Sequence, residues 1–186
     1  METNQEMIVA PSQQVEPKTK TISVLFTTYT DFISRLVGLF SGFGCTHVSI
    51  SLDEKDEYFY AFNTKGFRKE YPRKHRKRTQ NNTCLRLQVT EKQYKRLQGE
   101  LKRFENKRHK YSYDYFGIFC CMFRLPIERK KKDKYFCSSF MAELLEKAKV
   151  VKLERRKSSR YLPCHLQREL LVCSLLISVA QNIFIV

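Results

Sequence analysis

A chain of 186 residues with 42% hydrophobic content, including 14 Phe and 10 Tyr, has the length and apolar mass for one domain around a sizeable core, which excludes disorder throughout. The formal net charge of +16 attracts nucleic acid, anionic lipid or acidic polymer. That charge is concentrated in Arg68 to Arg78, Lys92 to Lys110 and Glu128 to Lys134, which show neither zinc-finger spacing nor a helix-turn-helix pattern. Specific nucleic-acid binding is therefore not expected, whereas solvated surface and an anionic membrane surface both fit.

The seven cysteines (45, 84, 120, 121, 137, 164 and 173) are odd in number and irregularly spaced. The opening Met1-Glu-Thr-Asn-Gln-Glu has no basic start followed by an apolar run, so no signal peptide is expected. The cysteines then read as free thiols in a reducing cytoplasm.

Residues 1–20 are polar and carry Pro11 and Pro17, and they read as a disordered tail before a domain over 21–169. Ile22-Ser-Val-Leu-Phe-Thr27 has strand composition, and Thr30 or Asp31 then caps a helix with Phe32, Leu36 and Phe40 on one face until Gly42 stops it. Thr46 to Leu52 alternates cleanly, with Val48, Ile50 and Leu52 on one face and His47, Ser49 and Ser51 on the other. Tyr58 to Asn63 follows after a short polar stretch, which predicts an antiparallel hairpin ended by Gly66.

A basic loop over 64–83 leads to a strand at Leu85 to Val89. Thr90 and Gln93 form a capping box for an amphipathic helix bearing Tyr94, Leu97, Leu101 and Phe104. Tyr111 to Phe123 reads as a short buried helix. After the charged run at 128–134, Phe140, Met141, Leu144, Leu145 and Ala148 make a wide apolar stripe on a helix beginning at or near Cys137. The last 17 residues, Leu170 to Val186, carry no charge. They suit either a buried terminal element or a membrane tail at the short limit for spanning.

A catalytic thiol must ionise near neutral pH, and a helix N-terminus or an adjacent imidazole achieves this. The helix beginning near Cys137 would supply the first device, whereas Cys84, Cys120, Cys121 and Cys173 sit in strand-like or apolar settings and read as structural. Among the histidines, His75 and His109 lie in basic runs and His165 in a loop-like Pro163-Cys-His. His47 faces away from Val48 and Ile50, which makes it the candidate base; the competing reading is a hydrogen-bonded strand histidine without chemistry. If Leu52 pairs with Tyr58, Ile50 faces Tyr60 and His47 faces Asn63, an amide able to orient the ring. A two-residue turn at Lys55-Asp56 would bring Thr64 there instead.

The segments Ser23 to Thr28, Phe43 to Asp53 with its Thr-His-Val-Ser, Tyr60 to Asn63, and Tyr135-Phe-Cys-Ser-Ser-Phe-Met-Ala-Glu-Leu-Leu together resemble the permuted papain-like amidases (YaeF/YiiX type), a group related to NlpC-type peptidases and to lecithin:retinol acyltransferase. The resemblance implies an α+β fold in which a small antiparallel sheet packs against the Cys-bearing helix, with the His strand before the Cys helix. It also implies a thiol hydrolase or acyltransferase acting on an amide or ester, with Cys137 as nucleophile, His47 as base and Asn63 as the third polar residue. Family members often carry Glu or His in that third place.

No cofactor is expected, and Cys45/His47 and Cys164/His165 lack the knuckle spacing of a zinc site. The alternative of a different class is an inactive papain-like module that holds an anionic membrane or polymer through its basic faces.

Overall fold

The computed structural model describes residues 18–30, 35, 37–39, 44–75, 77, 79–125, 133–153, 157 and 160–184. The expected tail over 1–20 lies outside them except at its end, as does most of the helix expected after Thr30, of which Arg35 and Val37 to Leu39 are described and helical. The first strand, β1 (Thr19–Tyr29), opens two residues before the expected domain start. From Ile22 to Thr28 it is buried without a break, because Ile22, Val24 and Phe26 occupy one face and Leu25 and Thr27 the other.

After β1 come strands β2 (His47–Ser51), β3 (Phe59–Asn63), β4 (Gly66–Glu70), helix α1 (Pro72–His75), β5 (Thr79–Thr90), α2 (Glu91–Asn106), β6 (Ser112–Tyr113), α3 (Tyr115–Met122), β7 (Lys134–Tyr135), α4 (Cys137–Lys147), α5 (Pro163–Leu171) and β8 (Leu176–Gln181). The fold is α+β. Six strands form one sheet in the order β4-β3-β2-β1-β5-β8 with every neighbouring pair antiparallel, and β6 and β7 form a separate parallel pair.

Register follows the hydrophobic alternation. Val24 pairs with Ile50 on one side and Leu85 on the other, so one sheet face presents a continuous apolar row. The β2–β3 hairpin pairs Ile50 with Tyr60, the register of the longer loop and not of a turn at Lys55-Asp56. The capping box at Thr90 forms as the sequence indicates, with the Thr90 N–H donating to Gln93 Oε1 at 2.9 Å, and α2 buries Leu97, Leu101 and Phe104.

Helix α2 packs over β1 and β5, and α4 packs over β2 and β3 and against α2 and α5. Between α4 and the sheet lies an aromatic knot. Phe140 is fully buried, with ring centroids 5.6, 5.5 and 5.0 Å from those of Phe62, Phe67 and Phe104. Removing one such side chain from water is worth about 1.5–3 kcal/mol, and this packing fixes where α4 starts. The opposite sheet face carries a smaller cluster of Leu25, Phe59, Cys84 and Phe184. There Asp56 is tucked in, accepting from Ser23 Oγ at 3.1 Å and pairing with Arg86 at 3.3 Å.

Three expectations change. The stretch 64–83 is not a loop: the chain turns at Thr64-Lys65, and Gly66, with φ +89°, takes the left-handed conformation that opens β4. Helix α3 buries Ile118, Cys120, Cys121 and Met122 and leaves its other face exposed. Of the segment 170–186, the described residues 170–184 are neither a wholly buried element nor a helical tail: they finish α5 and supply β8, an edge strand on which Ile177 and Val179 are 52% and 46% exposed. Apolar residues stand on both faces of β8, and β5 flanks one side only. Among the described residues no helix is long and apolar enough to cross a membrane.

Candidate active site

Phe136 is extended (φ −112°, ψ 167°) and caps α4, so Cys137 is the first helical residue. The Phe136 N–H donates to Ser139 Oγ at 3.0 Å, and the Ser139 hydroxyl donates back to the Phe136 carbonyl at 2.9 Å. These two bonds and the burial of Phe136 lock the helix start. The Cys137 sulfur therefore sits where unpaired helix N–H groups and the helix dipole favour an anion. The apolar stripe after Cys137 causes this placement, because it turns α4 onto the sheet over β2 and β3.

His47 opens β2 opposite Thr27 of β1. The strand start is pinned by Thr46, whose N–H donates to the Thr27 carbonyl (2.9 Å) and whose Oγ1 accepts from the Tyr29 N–H (3.0 Å). The imidazole lies against the Tyr29 ring, with centroids 5.4 Å apart, and His47 is 7% exposed and Cys137 3%.

Glu70, the last residue of β4, completes the group. Its Oε2 is 2.8 Å from His47 Nε2, with the two side chains only 12% and 9% exposed. An ionised carboxylate only accepts, so Nε2 carries a proton and donates. This leaves Nδ1 as the ring nitrogen free to serve Cys137, which lies close enough to act on the imidazole. Burial works against a charged ring, but the Glu70 carboxylate, with Cys137 nearby, outweighs it and holds the imidazole well above its usual 6.5.

Asn63, expected to orient His47, instead donates from Nδ2 to Glu70 Oε1 at 2.8 Å. Its own Oδ1 is taken up in the turn by the Lys65 N–H at 2.9 Å. The imidazole is met by the carboxylate, a charged and longer acceptor, and the amide stands one step behind it. Sequence reasoning missed Glu70, although it is the one acid in the basic run Arg68 to Arg78 and begins five residues after a Thr64-Lys65 turn.

Two other thiols are held up by burial. Burial, with the Cys164 and Cys137 thiols nearby, pushes the Cys45 thiol far above its ordinary range, and Cys45 Sγ donates to Gln167 Oε1 at 3.3 Å. Burial beside Asp56 pushes Cys84 up to about 11. His165, expected in a loop, lies in the first turn of α5. Among the described residues no group of three or more His, Cys, Asp or Glu side chains is arranged to hold a metal ion.

No protein-family model matches the chain, and no curated protein matches its sequence.

Proposed function

We propose that the chain is a cysteine-dependent hydrolase or acyltransferase with a permuted papain-like fold, acting on an amide or ester. The observation that carries this reading is the meeting of Cys137 at a helix N-terminus with His47 and Glu70 from two strands in one buried cluster. The His strand comes before the Cys helix in the chain, the order that the resemblance of the Thr-His-Val-Ser and Phe-Cys-Ser-Ser-Phe segments to the permuted amidases implies.

In this mechanism the Cys137 proton rests on His47 Nδ1, giving a thiolate beside an imidazolium that Glu70 balances. The sulfur attacks the carbonyl carbon, and the tetrahedral oxyanion takes the Cys137 backbone N–H, which at the first helical position has no intrahelical acceptor. The C–N or C–O bond breaks as His47 gives its proton to the leaving amine or alcohol. Water or a second amine, deprotonated by His47, then attacks the thioester and releases the acyl group and the thiol. Asn63 and Glu70 are positioning residues in this scheme: one fixes the carboxylate, the other the ring.

Incubation with p-nitrophenyl acetate tests the reading. A burst of p-nitrophenol is expected together with an acetyl mass on the Cys137 peptide, and both should be absent in Cys137→Ala and His47→Ala. Acetylation that spares Cys137, or that persists unchanged in His47→Ala, contradicts it.

A further inference from the structure

Helix α3 is apolar on every side, and a helix of that kind is ordinarily enclosed. Here Tyr115, Phe116, Phe119 and the C-cap Phe123 are 56%, 54%, 46% and 49% exposed. At about 100° per residue the four fall within an arc of roughly 100°, with Cys121 on the opposite side and Ile118 and Met122 beyond the arc's edge, all three in the core. Leu125 extends the patch.

The rim of the patch is cationic. Lys107, Arg108, His109 and Lys110 are exposed just before it, and Arg124 is exposed between Phe123 and Leu125. From Lys107 to Lys134 the sequence holds nine Lys and Arg against three acids, and one of these, Asp114, is buried as the N-cap of α3, where it accepts from the Gly117 N–H at 2.6 Å.

We propose that this face of α3 seats on an anionic lipid surface, with its rings at the boundary of headgroups and acyl chains and the flanking cations against the headgroups. The helix, eight residues and about 12 Å long, lies in the plane of the surface. Charge selects this occupant. A second copy would bring another +16 against the same cations. A single-stranded nucleic acid stacks on separate ring platforms, whereas Phe119 and Phe123 lean on each other, with centroids 4.6 Å apart. The surface is tied to the candidate site, because the Asp114 N–H donates to the carbonyl of Tyr135, two residues before Cys137, at 2.9 Å. The proposal does not depend on catalysis.

Cosedimentation of the full chain with phosphatidylcholine vesicles, with and without roughly one-third phosphatidylserine, tests it. The parent is expected to bind the anionic vesicles and not the neutral ones. Phe116→Ser/Phe119→Ser, made at exposed positions, should weaken binding at least about tenfold while keeping the parent's melting temperature and Cys137 alkylation rate. Arg108→Gln/Lys110→Gln gives an independent readout, a loss of about fivefold per charge removed. The proposal is overturned if the parent ignores anionic vesicles, or if the Phe double variant binds them as well as the parent does. It is equally overturned if that variant loses self-association or oligonucleotide binding with its vesicle binding intact.

Discussion

Glu70→Gln separates charge from shape at the candidate site. The carboxylate lies 2.8 Å from His47 Nε2, with both side chains about nine-tenths buried. Two unit charges about 4 Å apart at an effective dielectric near 20 attract by about 4 kcal/mol. A glutamine still accepts from Nε2, so roughly half of that is expected to be lost, about 2 kcal/mol. Burial, which opposes the charged ring, is then no longer outweighed. The His47 Hε1 resonance, followed by NMR against pH, should therefore titrate at lower pH in the variant, and alkylation of Cys137 at neutral pH should slow by more than tenfold. Stability should follow the same sign. Because the folded ring is raised above 6.5, its contribution is fully present below about pH 6.5 and is lost as pH rises through the raised value. The urea midpoint of the parent should fall across that alkaline window, and that of Glu70→Gln should fall less. A His47 titration unchanged in the variant refutes the reasoning, since the carboxylate would then not be what holds the proton.

The remaining predictions concern the neighbours of that pair. Asn63→Ala removes a 2.8 Å bond to the carboxylate and should cost about 1–2 kcal/mol in urea unfolding, with a smaller shift of the Cys137 alkylation profile than Glu70→Gln gives. Cys84, pushed up to about 11, and Cys45, pushed higher, should resist iodoacetamide in the folded protein at mildly alkaline pH and react once it is denatured, as peptide masses would show. Phe140→Ala should lower stability by about 3–5 kcal/mol by urea titration, because its ring fills the contact between α4 and the sheet.

The parts of the site that were legible in the sequence each had a local period behind them. Cys137 stands directly before an apolar stripe of helical spacing, and that stripe makes the helix start where it does. His47 is picked out by period-2 alternation, which separates it from Val48 and Ile50. Glu70 had no such signal. Its partner is 23 residues away, and they meet only because β4 folds back on β3 at the Thr64-Lys65 turn. In the sequence, the seven Lys and Arg of the run Arg68 to Arg78 make that segment look like solvated loop. Asn63 was found on the right strand end but given the wrong neighbour, since register fixes which backbones pair and not which of two polar side chains reaches the ring. The C-terminal segment was opaque for a related reason. Its apolar run has no alternation, so only pairing with β5, nearly a hundred residues upstream, makes it a strand.

The most direct measurement is the rate of iodoacetamide alkylation at each cysteine against pH, assigned by peptide mass spectrometry, in the parent and in His47→Ala. The expected result is that Cys137 reacts fastest and does so below pH 7, ahead of the more exposed Cys173, with that advantage lost in His47→Ala. A Cys137 that reacts no faster than Cys173, or that is indifferent to the loss of His47, would contradict the thiolate–imidazolium pair and with it the proposed hydrolase.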